Sequence, residues 1–81
     1  MNMDEIFQTM QRVIADQFGL NVNEVTMETS FEADLGADSV DLVEVVMAME
    51  DAFEVGEIGE EDLASLKTVG DCVQYLSAKL K

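Results

Sequence analysis

The sequence predicts an all-α protein: a small bundle of three main helices plus one short helix, with a long loop between the first and second helices. Three observations carry that prediction. Apolar residues recur at three- and four-residue steps in three separate stretches. Each stretch opens on a polar residue followed three positions later by an acid, the pattern of a helix N-cap. No run of alternating β-branched residues suggests a strand. The 81 residues fit one domain, spanning 1–81, with a modest core.

The first helix is expected over residues 4–18, where Ile6, Met10, Val13, Ile14 and Phe18 share one face. Asn2 and Glu5 form a capping pair, and Gly19 is a fitting stop. Residues 19–37 hold apolar side chains without a sustained period. They read as a long loop pinned to the core by Leu20, Val22, Val25, Phe31 and Leu35. Loops of this length are uncommon and are often functional. Gly36 allows a tight turn before the second helix, expected over 38–54 with Asp38 as N-cap and Asp41 three residues on. "VGEIG", residues 55–59, breaks that helix, and "EEDLASL", residues 60–66, permits only a short one. Thr68 and Asp71 cap the last helix, whose core face is Val69, Cys72, Val73, Leu76 and Leu80.

Turning the second helix at about 100° per residue separates two apolar faces. Leu42, Val45, Val46, Met49 and Phe53 form an ordinary core stripe. Val40, Val43 and Met47 fall on the opposite side, framed by Glu44 and Asp51 on one edge and by Glu50 and Glu54 on the other. Scattered surface hydrophobes are common and need no function. An apolar strip inside an acidic frame also suits a docking face for a groove lined with lysine and arginine, and its start beside Ser39 favours that reading.

Charge narrows the function classes. Eighteen acids face four bases, Arg12, Lys67, Lys79 and Lys81, for a formal charge of −14. Residues 13–66 hold fifteen acids and no base. Such a field repels nucleic acids and anionic lipid surfaces and attracts basic partner surfaces. One cysteine, Cys72, excludes an internal disulfide and a thiolate metal cluster, and it reads as a buried core residue. No stretch approaches the roughly 20 apolar residues needed to span a membrane. The N-terminus has neither signal-peptide nor transit-peptide character, so the expected location is cytoplasmic.

Ser39 sits between two aspartates in "LGADSVDLVE". A serine nucleophile needs a base within hydrogen-bond reach, and the chain has no histidine. The G-x-S-x-G elbow is also absent and the nearest lysine in sequence is Lys67, so hydrolase chemistry is not expected. A calcium loop counted from Asp34 fails at its third, sixth and twelfth positions, Gly36, Ser39 and Val45, and no metal site is expected. Asp38 is available as the cap, which leaves Ser39 free in the first turn, at the positive end of the helix dipole. Chemistry and position together describe a serine that is modified rather than one that catalyses.

"DLGADSVDLVEVVMAMEDAF" resembles the signature of acyl carrier proteins, most closely the free-standing bacterial type of fatty acid synthesis. The resemblance runs through the first helix, the "EI" segment and "TVGDCVQYL". It implies that Ser39 receives 4′-phosphopantetheine from coenzyme A through a phosphodiester, and that the arm's thiol carries acyl chains as thioesters. It also implies an interior acyl pocket lined by Phe31, Val46, Met49, Ile58, Leu66 and Tyr75. The implied docking face is Asp38, Val40, Asp41, Val43, Glu44, Met47, Glu50 and Asp51. The implied partners are a phosphopantetheinyl transferase and fatty acid synthesis enzymes with basic patches, met by a monomer that is not itself an enzyme. The resemblance leaves a carrier of polyketide, nonribosomal or another specialised pathway as the nearest alternative, and the acidic composition leaves a different class, an acidic interaction module without a prosthetic group. The chain departs from the family pattern at Val40, where leucine is usual, at Gly59, where proline is common, and by one additional residue near Gly56. The last two fall beside the implied pocket and bear on chain-length preference and local order.

Overall fold

The computed structural model describes residues 1–80; Lys81, the last of the four bases, lies outside them. Helix α1 spans Met3–Phe18, α2 Ser39–Phe53, α3 Glu60–Leu63 and α4 Val69–Lys79, and a 3₁₀ turn covers Val22–Glu24. This is the expected all-helical bundle, with its three main helices, short helix and long loop.

Local chemistry sets the starts of the long helices. Asn2–Glu5, Asp38–Asp41 and Thr68–Asp71 each form a reciprocal capping box at α1, α2 and α4. Each box satisfies two backbone N–H groups, and losing its capping side chain costs about 1 kcal/mol. Gly19 ends α1 in the left-handed region at φ 67°, where glycine carries no penalty. The end of α2 differs: Glu54 takes the left-handed position at φ 53°, and Gly56 follows at φ 78°. The sequence places the break at Val55, one residue later.

The helices pack through the predicted faces. Ile6, Met10 and Ile14 of α1, Val45 and Met49 of α2, and Val69, Cys72, Val73 and Leu76 of α4 are almost completely buried. Burying each large aliphatic side chain stabilises the fold by about 1.5–3 kcal/mol. Val13, Phe18, Leu42 and Leu80, all assigned to core faces, are half-buried instead. Leu42 lies in the first turn of α2, where the bundle opens. The short helix is α3, four residues where the sequence allows seven, and its Leu66 end is held by turns.

The long loop is built of turns rather than left irregular. Its 3₁₀ turn is fastened to α1 by Gln11, whose Nε2 donates to the carbonyls of Val22 at 3.1 Å and Val25 at 2.9 Å. Val25 and Phe31 are buried and Leu20 and Leu35 half-buried, as expected of anchors. Val22 is not an anchor: its side chain is 41% exposed, because the 3₁₀ turn directs its carbonyl, not its isopropyl group, toward α1. Further on, the loop caps α4. The N–H groups of Val69 and Gly70, which lack intrahelical partners, donate to the carbonyls of Thr29 at 3.0 Å and Met27 at 2.8 Å. A Cβ at Gly70 would stand 2.9 Å from the Met27 oxygen, so this approach requires glycine. Finally, the Ala37 N–H donates to the Phe31 carbonyl at 2.8 Å, closing a loop that delivers Asp38 to the start of α2.

Candidate functional site

Ser39 is the first residue of α2 and is exposed. Both flanking aspartates are committed to the cap. Asp38 Oδ1 accepts from the Asp41 N–H at 3.0 Å, and Asp41 Oδ2 accepts from the Asp38 N–H at 3.2 Å. The Ser39 hydroxyl takes no part in this box. The Leu42 N–H donates to the Asp38 carbonyl at 3.0 Å and begins the helical ladder. The N–H groups of Ser39 and Val40 precede that ladder and face outward at the positive end of the helix dipole. The site therefore offers an open hydroxyl beside backbone donors, an arrangement suited to holding a phosphodiester.

From Ser39 the outer face of α2 runs down the bundle. Val40 is 64% exposed, Val43 46% and Met47 61%, the most solvated large apolar side chains of this helix. Glu44 is exposed beside them, and Gln17 of α1 donates from Nε2 to its Oε2. Asp38 and Asp51 are also exposed, and Asp41 is half-buried. Glu50 is different. It is half-buried, and its Oε2 accepts from the Ile58 N–H at 2.6 Å, tying α2 to the segment ahead of α3.

A cleft of about 390 Å³ opens on the other side of α2, within the roughly 300–1,000 Å³ range of small-molecule sites. Its walls include Phe31, Leu42, Leu63 and Leu66, with Glu32 and Lys67 at the polar rim. Leu42 is one helical turn from Ser39, so the cleft begins close to the open hydroxyl. Of the residues implied as a pocket lining, Phe31 and Leu66 border this cleft, whereas Val46, Met49 and Ile58 are buried in the core. Tyr75 is half-buried, and its hydroxyl donates to Asp62 Oδ2 at 2.8 Å. Leu42 and Leu63 were not among the implied residues. Their signal in the sequence was weak: Leu42 shares the core stripe, and Leu63 lies in a helix too short to show a period. A larger hollow, about 490 Å³, lies along α1 among Glu5, Gln8, Gln11 and Arg12. It includes no residue of α2 and has no link to Ser39.

Two buried or half-buried groups have shifted acidities. Burial, and secondarily the charge of Asp71, pushes the Cys72 thiol up to about 12. Partial burial raises the Tyr75 phenol to about 12 as well, with further contributions from Asp62 and then Glu50. Both groups are protonated at neutral pH, and Cys72 is no nucleophile there. Among the described residues no helix is long and apolar enough to cross a membrane.

The fold agrees with a recognised class. Residues 8–76 match the family described as phosphopantetheine attachment site. Acyl carrier proteins of Clostridium perfringens strains SM101 and 13 are 47% identical over 72 residues, covering 89% of this chain and 93% of theirs. The solved acyl carrier protein of Enterococcus faecalis superposes with a TM-score of 0.79 at 33% identity, covering 98% of this chain and 99% of that one. The chain belongs to the acyl carrier protein family. The prosthetic group of that family is 4′-phosphopantetheine.

Proposed function

We propose that this chain, as one domain, carries the acyl intermediates of fatty acid synthesis on a 4′-phosphopantetheine arm attached to Ser39. The observation that supports this most is the first turn of α2. There an exposed hydroxyl stands free between two aspartates whose carboxylates are already engaged in the cap. When bound, the group supplies a thiol that holds an acyl chain as a thioester. Ser39 Oγ is the attachment atom, and the N–H groups of Ser39 and Val40 offset the charge of the phosphodiester. Phe31, Leu42, Leu63 and Leu66 offer the chain an apolar cleft beside the arm.

The protein is not an enzyme in this reading. A separate transferase loads the arm, and fatty acid synthesis enzymes act on what it carries, all in the cytoplasm and on a monomer. They read the outer face of α2: Val40, Val43 and Met47 as the apolar strip, with Asp38, Asp41, Glu44 and Asp51 as the acidic frame. Glu50 adds charge there while holding Ile58. Incubation with coenzyme A and a phosphopantetheinyl transferase, read by intact mass, tests the class. A gain of one arm per chain is expected. An unmodified mass would instead favour an acidic interaction module.

A further inference from the structure

We infer that the segment from Val55 to Leu66 is a hinged cover over the cleft, held shut by two side-chain latches, Glu50 to the Ile58 N–H and Tyr75 to Asp62. The inference rests on the reading that the cleft shelters an acyl chain. The segment leaves α2 through two left-handed residues, Glu54 and Gly56, on either side of Val55, which form the hinge. Its helix, α3, is four residues long, far below the length that is stable unaided. Leu63 and Leu66 of the segment form part of the cleft wall, so any outward swing widens the cleft.

Each latch grips the cover from a different helix. From α2, Glu50 Oε2 accepts from the Ile58 N–H at 2.6 Å, at the lead-in. From α4, the Tyr75 hydroxyl donates to Asp62 Oδ2 at 2.8 Å, in the middle of α3. Both join a neutral donor to a carboxylate, a class of hydrogen bond roughly twice as strong as a neutral pair. The phenol keeps its proton at working pH and therefore remains a donor. Ile58 and Leu66 are buried at the two ends, and Leu63 is only half-buried between them. Apolar packing thus anchors the ends of the cover, and the latches set how often its middle opens.

The amide arm of the test needs no partner protein, so the charge of Glu50 on the docking face cannot enter it. Amide hydrogen exchange is compared in the unmodified chain, Tyr75→Phe, Glu50→Ala and Glu50→Gln. The N–H groups of Leu63, Ala64 and Leu66, all hydrogen-bonded, are the reporters. Tyr75→Phe and Glu50→Ala should each speed their exchange about fivefold, while amides of α1 keep the parental rate. Glu50→Gln keeps an acceptor oxygen and should restore most of the protection, which a loss of charge alone would not do. In the second arm each protein carries an octanoyl thioester, and cleavage by hydroxylamine should accelerate by a similar factor in the first two variants. Unchanged exchange at Leu63, Ala64 and Leu66, or acceleration spread equally over α1, overturns the latches. If the parent's thioester is cleaved as fast as free octanoyl-pantetheine, the sheltering reading fails, and the amide arm still decides whether the latches exist.

Discussion

Cys72 shows how a single side chain reports on the core. Its thiol is 1% exposed on the inner face of α4, and burial keeps it protonated up to about pH 12. Iodoacetamide at pH 8 should therefore leave the folded protein unmodified and label it quickly in denaturant; rapid native labelling would contradict this packing. The pH dependence follows from the same shift. The unfolded thiol ionises near 9, so above that pH the unfolded chain binds fewer protons than the folded one. Stability contributed by the thiol is full below pH 9 and falls as pH rises toward 12, by at most about 1.4 kcal/mol per pH unit. Tyr75 acts in the same direction above pH 10. Melting temperature measured from pH 8 to 11 should decline less steeply in Cys72→Ala, from a lower start because of the cavity. At this scale the sequence disclosed what depends on near neighbours: the burial of Cys72, the cap at Asp38, the open hydroxyl of Ser39. It did not disclose the role of Glu50. The partner of Glu50 is a backbone N–H eight residues away, brought within reach only by the turns at Glu54 and Gly56.

Among the elements, α2 carries a buried face and an exposed apolar one, and the helical wheel separated Val45, Val46, Met49 and Phe53 from Val40, Val43 and Met47. Helix starts were legible because a capping box is written within four residues. The loop was less so, because its order comes from distant partners: Gln11 for the 3₁₀ turn, and the start of α4 for Met27 and Thr29. Apolar content alone could not tell the buried Val25 from the exposed Val22. The cleft was half legible for a related reason, since its walls come from the loop, α2 and α3 together. The outer face of α2 yields a kinetic prediction. Glu44→Lys should slow association with the transferase and weaken its salt dependence, with little loss of stability beyond the Gln17 contact. Met47→Ala should mainly raise the dissociation rate, since burying such a side chain contributes about 1.5–3 kcal/mol. Glu28→Lys, in the loop away from that face, should do less. Stopped-flow binding decides this: unchanged rates in both α2 variants would move the docking face elsewhere.

For the whole molecule, charge dominates. A net charge of −14 on 81 residues opposes compactness, and the bases stand outside residues 13–66. Screening shortens from about 10 Å at 0.1 M salt to about 3 Å at 1 M. Added salt, or millimolar divalent cation, should therefore raise the melting temperature; a flat or falling value under both would show that repulsion does not limit stability. The bundle holds Ser39 exposed at the start of α2. That presentation is the central claim, and one measurement tests it most directly. Ser39→Ala, checked for parental helicity, is incubated with coenzyme A and a phosphopantetheinyl transferase, and its intact mass is compared with that of the parent. The account predicts one arm on the parent, mapped to Ser39, and no mass gain in the alanine variant. An arm on the variant, or on Ser30, Ser65 or Ser77 of the parent, would contradict it.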